Sequence, residues 1–160
     1  LFPYTTRFRS LGTVHSLVVH GAPGMDEISP IGPTAVLELR GESLTRWTLD
    51  PVEFGYSGMN GAELAGGEPA ENAALIERVL AGGGPPAAEA AVLLNAAGAI
   101  YVSGKAPTYA AAFEVAKEAL QSGAGTAALE RLRAAAPRCG ASRKPARRRS
   151  SRCDAAPSHR

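Results

Sequence analysis

The spacing of apolar residues changes period once along this 160-residue chain, at Pro69. Before that point apolar side chains come in short runs cut by glycine and proline, as strands and loops require. After it they recur at helical spacing. Ser16 to His20 is a β-branched run bounded by Gly21 and reads as a buried strand of a parallel sheet. The segment Gly21 to Pro33 holds three glycines and three prolines and reads as a loop. Thr34 to Arg40 alternates enough for a strand, Gly41-Glu42-Ser43 for a turn, and Thr45 to Leu49 for its hairpin partner. Both strands are amphipathic, so one face is expected to be covered and the other wet.

Four helices are expected beyond Pro69. Pro69 suits a first helical turn, Leu75, Ile76, Val79 and Leu80 form a stripe, and Gly82 can stop the helix. The second, about Pro86 to Val102, carries one charge, Glu89, and is apolar nearly all round, the mark of a buried helix. Thr108 is placed to cap the third, along which Tyr109, Phe113, Ala116 and Leu120 share a face until Gly123. The last, about Thr126 to Ala135, presents Leu129 and Leu132. The fold class is therefore α/β, short strands followed by a run of helices. The strands are too few for a complete doubly wound sheet, so the body reads as a partial domain, truncated on its N-terminal side.

The net charge of +2 hides an asymmetry. Residues 11–136 carry 7 Lys and Arg against 14 Asp and Glu, whereas residues 137–160 carry 8 basic residues against Asp154 alone. The basic balance belongs to the ends. Residues 1–10 resemble the translation of a sequencing-adapter oligonucleotide and are expected to be non-native. Residues 137–160, with Arg147-Arg148-Arg149, lack apolar periodicity and read as a disordered basic tail or a frameshifted one. Both cysteines, Cys139 and Cys153, fall in that tail without metal or redox spacing and read as incidental. No run is long and apolar enough for a membrane span, and no signal layout opens the chain, so a cytoplasmic protein is expected.

The segment Val18 to Ser29 carries the chemistry. It sets Asp26 and Glu27 side by side on a glycine-rich loop after a strand, where ligands of open α/β sheets bind. Adjacent hard oxygens suit Mg²⁺, which takes one or two carboxylates together with waters and substrate phosphates. The same pair also reads as two solvated surface acids, and the residues alone leave both readings open. His20 reads as a hydrogen-bonded core histidine. Asn95, inside an apolar helix, must be satisfied by backbone or by a neighbouring element. Glu71-Asn72-Ala73 reads as a helix start, Trp47 and Phe54 as packing groups, and Gly82-Gly83-Gly84 as a linker rather than a phosphate loop.

Val18-Val19-His20-Gly21, Gly24-Met25-Asp26-Glu27-Ile28-Ser29 and Gly32-Pro33-Thr34 resemble the signature of anthranilate phosphoribosyltransferases. Further family-like blocks follow in order. They are Glu38-Leu39, Pro51 to Gly55, Leu64 to Gly67, Glu71 to Ala73, Leu94 to Ala97 and Ser122-Gly123. The resemblance covers about residues 11–136, the C-terminal third or more of a full-length member. It implies the nucleoside phosphorylase type of fold, a homodimer, and transfer of the phosphoribosyl group of phosphoribosyl pyrophosphate to anthranilate in tryptophan biosynthesis. It also implies that Asp26 and Glu27 bind Mg²⁺ at the donor's pyrophosphate. The family's G-T-G-G-D loop, its K-H-G-N-R segment and its anthranilate-orienting arginine have no counterpart here. Substrate-binding and catalytic residues therefore stay unassigned, and the chain alone is expected to be inactive. The alternatives are a pyrimidine nucleoside phosphorylase or another paralogue of the same fold, nucleic-acid binding through the basic tail, and a noncatalytic helical interaction module.

Overall fold

The computed structural model describes residues 12–136. The segments expected to be non-native (1–10) and tail-like (137–160), with both cysteines, lie outside the described residues. Three strands, β1 (His15–Gly21), β2 (Thr34–Arg40) and β3 (Ser43–Leu49), form a sheet in the order β1-β2-β3. Two 3₁₀ turns follow, Pro51–Phe54 and Gly61–Leu64. Then come α1 (Pro69–Leu80), α2 (Pro86–Val102), α3 (Tyr109–Gln121) and α4 (Ala124–Ala135).

The sheet departs from the expected one in direction. Both pairings are antiparallel, with Val19 opposite Val36 and Val36 opposite Trp47. The connection 22–33 contains no crossover helix, and its ends are tied together by Ala22 N–H donating to Pro33 O (2.9 Å). A connection closed in that way returns the chain alongside itself, as in a long hairpin. Among the described residues β1 is an edge strand, and most of it is half-buried rather than buried. The β2–β3 turn is made by Gly41 and Glu42, with Arg40 opposite Ser43 and Gly41 at φ +57°, the left-handed conformation that short hairpin turns demand.

The expectation of one wet face also fails for β2, where Val36, Leu37, Glu38 and Leu39 are all buried. Alternation puts Val36 and Glu38 on the face that packs against the helices. Glu38 is tolerated there because three donors meet its carboxylate. His15 Nε2 (2.9 Å) and Tyr101 OH (2.8 Å) reach Oε1, and Trp47 Nε1 (2.9 Å) reaches Oε2.

The helices begin and end close to where the sequence places them. Thr108 Oγ1 accepts from Ala111 N–H (3.1 Å) as the cap of α3, and Gly82 and Gly123, at φ +76° and +75°, follow α1 and α3. α2 is the central element: Leu93, Leu94, Ala97 and Tyr101 on it are buried against Tyr109, Ala112, Phe113 and Ala116 of α3. Ala90, Ala97 and Ala112 are wholly inaccessible, so small side chains let these two helices approach closely. Trp47 and Phe54 pack against this cluster. The Phe54 ring lies 5.3 Å from that of Tyr109 and 4.9 Å from that of Phe113.

α1 and α4 sit at the periphery. Val79 is the buried residue of α1, and α4 has none, with Leu132 66% exposed. The two helices are joined by polar contacts: Thr126 Oγ1 donates to Leu80 O (3.0 Å), and Arg133 pairs with Glu77. No helix among the described residues is long and apolar enough to cross a membrane.

Candidate metal-binding loop

β1 ends at Gly21, and its chain turns at once. Gly21 N–H donates to Met25 O (2.9 Å), and Gly21 O accepts from both Gly24 N–H and Met25 N–H (2.8 Å each), so Gly21 and Met25 form a closed bridge. Glycine is required at this position by space. A Cβ on Gly21 would lie 2.6 Å from Glu27 O and 2.7 Å from Ser29 Cβ. The first anchor of the loop is therefore Met25, held to the end of β1.

The second anchor begins at Ile28. Its N–H donates to Asn95 Oδ1 (3.0 Å), and its carbonyl accepts from Asn95 Nδ2 (2.9 Å), which also donates to Ala91 O (2.9 Å) one turn back on α2. The carboxamide thus grips one residue of the loop through both backbone polar groups, as a strand partner would. The Ile28 side chain is 3% exposed and lies against α2 where Gly98 leaves room, a Cβ there falling 3.2 Å from Ile28 Cδ1. Ser29 continues the anchor. Its N–H donates to Thr34 Oγ1 (3.0 Å), and its buried hydroxyl donates to Ala22 O (2.5 Å) while accepting from Ile31 N–H (3.2 Å).

Asp26 and Glu27 are the two residues strung between these anchors, and both are exposed. The backbone beneath them is fixed, while their carboxylates face water. The donor set fits a hard cation that keeps part of its hydration shell and completes it with phosphate oxygens. Among the described residues no group of three or more His, Cys, Asp or Glu is placed to hold a metal ion. An open groove of about 430 Å³ flanks the loop, with His20, Pro23, Gly24 and Thr48 on its walls.

The placement of the expected residues is mixed. Asp26 and Glu27 lie exposed on the loop after β1, and Asn95 is satisfied by backbone of a neighbouring element. His20 is exposed, not a core histidine, because β1 turns its side chain to the face of the sheet opposite the helices. Residues 71–73 lie within the first turns of α1, where Glu71 accepts from Glu68 N–H (2.9 Å) and Asn72 clamps Gly67 through both backbone groups (2.8 and 2.9 Å). The anchoring roles of Ser29 and Thr34 were not read from the sequence. Short hydroxyl side chains among glycines and prolines were the available signal, since such residues close turns by bonding nearby backbone.

This fold and loop define a class. Residues 3–126 match the glycosyl transferase family, α/β domain, and the chain belongs to that family. The chain is similar to the anthranilate phosphoribosyltransferase 2 of Streptomyces coelicolor, at 43% identity over 129 residues, covering 81% of this chain and 38% of that protein. It is similar also to the anthranilate phosphoribosyltransferase of Rubrobacter xylanophilus, 41% identical over 130 residues with the same coverage. The crystal structure of the Thermus thermophilus enzyme superposes with a TM-score of 0.73 at 36% identity, covering 84% of this chain and 39% of that one. The Saccharomyces cerevisiae enzyme in complex with PRPP and Mg superposes with a TM-score of 0.60 at 30% identity, covering 71% and 33%. The chain therefore spans well under half the length of the relatives it matches.

Proposed function

We propose that this chain is the metal-binding part of an anthranilate phosphoribosyltransferase, which transfers the phosphoribosyl group of phosphoribosyl pyrophosphate to anthranilate in tryptophan biosynthesis. The observation that carries the reading is the loop itself. Two exposed carboxylates, Asp26 and Glu27, are held between the Met25 and Ile28 anchors within the region that matches the family. Support for the ligands comes from the yeast neighbours, described as complexes with PRPP and Mg and with 4-fluoroanthranilate.

Bound Mg²⁺ supplies neutralisation of the charge that gathers on the departing diphosphate. Asp26 and Glu27 would hold that ion by hard oxygens, the ligand type that Mg²⁺ takes. The Gly21–Met25 bridge and the Asn95 clamp keep the pair in register with the end of β1, so little ordering remains to be done when the donor arrives. No side chain of the loop is assigned a proton transfer or a nucleophilic step. Contacts to the sugar phosphate and to anthranilate belong, in this reading, to residues that this chain does not carry. A cytoplasmic homodimer is part of the proposal.

The test is kinetic, in a complete enzyme that contains this segment. Asp26→Asn with Glu27→Gln lowers turnover by about a hundredfold, because metal neutralisation of a leaving group contributes several kcal/mol. The double substitution also shifts the Mg²⁺ dependence to higher concentration. An Mg²⁺ titration that superimposes on that of the unaltered enzyme removes the assignment.

A further inference from the structure

Asn95 sits on α2, 67 residues along the chain from the loop it touches. It is half-buried in a helix whose one charge is Glu89, an unfavourable place for a carboxamide unless all its groups are used. They are used. The oxygen accepts from Ile28 N–H, and the nitrogen donates to Ile28 O and to Ala91 O, at 2.9 to 3.0 Å. The residue so gripped follows directly on Glu27. On the other side of the acidic pair, Met25 is fixed by its bridge to Gly21.

We propose that Asn95 is a positioning residue for the metal-binding pair, acting through Ile28 to set where the Asp26 and Glu27 carboxylates stand. This rests on the reading of that pair as Mg²⁺ ligands. The physical argument is one of degrees of freedom. With both anchors in place, the backbone of Asp26 and Glu27 spans two fixed points and has few conformations left. With the Ile28 anchor released, the segment from Asp26 to the Ser29 contacts loosens, and the two carboxylates must be gathered anew for each ion. Residues that orient metal ligands without touching the metal commonly govern affinity by about 10–100-fold. Gly98, one turn along α2, serves the same docking by making room for the Ile28 side chain. The helix thus holds the loop by both main chain and side chain.

The experiment compares four forms of the full chain by manganese(II) titration, reading free ion from its electron paramagnetic resonance signal. They are the unaltered chain, Asp26→Asn/Glu27→Gln, Asn95→Leu, and Tyr101→Phe. The last removes a buried hydroxyl that bonds Glu38 rather than the loop, and serves as a control for general loosening of the core. Amide hydrogen exchange at Ile28 is followed in each form. The expected result is that Asn95→Leu raises the manganese dissociation constant about tenfold. Exchange at Ile28 speeds up in this variant, while exchange in the β2–β3 ladder stays slow. Tyr101→Phe is expected to lower the melting temperature but leave manganese affinity unchanged.

If Asn95→Leu speeds exchange at Ile28 yet binds manganese as tightly as the unaltered chain, the positioning role is overturned while the metal reading stands. Equal weakening by Asn95→Leu and Tyr101→Phe also overturns it, since the effect is then one of core stability. If the unaltered chain binds no manganese, or binds it equally after Asp26→Asn/Glu27→Gln, the metal reading itself fails and the inference falls with it.

Discussion

Glu38 is a carboxylate held in the interior, 8% exposed, between the sheet and α2. Burial alone pushes its carboxyl upward. The hydrogen bonds from Tyr101, His15 and Trp47, with the favourable field of the His15 ring, outweigh that and hold it below the ordinary value of 4.5. The same contact works in the opposite direction on Tyr101, whose phenol is raised by burial first and then by the bond to Glu38 and its charge. Because the folded value of Glu38 is depressed, its contribution to stability is complete above about pH 4.5 and fades as pH falls through the folded value. Glu38→Gln is expected to lower unfolding free energy at pH 7 by about 1–3 kcal/mol, since donors aimed at a charged acceptor lose part of their bond. It is also expected to flatten the decline of stability below pH 4.5, where this carboxyl takes up its proton. Urea denaturation at pH 7 and at pH 4 measures both. A variant as stable as the parent at pH 7, with the same acid sensitivity, would show that the network carries no net stabilisation.

At the scale of elements, α2 and α3 make the core, and small residues set their spacing. The α3 start depends on Thr108, which supplies an acceptor to the Ala111 amide. Thr108→Ala is expected to cost about 1 kcal/mol in chemical denaturation with an unchanged slope. The helices were legible from the sequence because their ends are marked by specific residues: Pro69 and Pro86 at starts, Thr108 as a cap, Gly82 and Gly123 as stops. The direction of β1 was not legible. A β-branched run flanked by glycine reads alike in parallel and antiparallel sheets, and the tie between Ala22 and Pro33 that reverses the chain is a backbone contact with no side-chain signature. Nor was the inward setting of Glu38, since consecutive apolar Ala35, Val36 and Leu37 blur the alternation that would assign a face, and the donors from β1, β3 and α2 satisfy the carboxylate inside. Two asparagines, Asn72 and Asn95, each clamp a backbone amide, of Gly67 and Ile28 respectively. Both stood out in the sequence, and neither target was readable from it.

For the molecule as a whole, the described residues form a sheet with helices packed on one face and the acidic loop standing at the end of β1. The loop ties the layers together, since Gly21 belongs to the sheet, Ile28 to the surface of α2, and Ser29 to the start of β2 through Thr34. The acidic pair itself was legible from residue order, whereas the two anchors that give it a fixed place emerge only from tertiary contacts. The most direct measurement is an amide correlation spectrum of the full chain with substoichiometric manganese(II), whose unpaired electrons broaden nearby resonances. The account predicts selective loss of signal from Met25 to Ser29, with the amides of Ser43 to Leu49 intact, and no selective loss after Asp26→Asn/Glu27→Gln. Broadening centred on another part of the chain, or unchanged broadening at Met25 to Ser29 in that double variant, would contradict it.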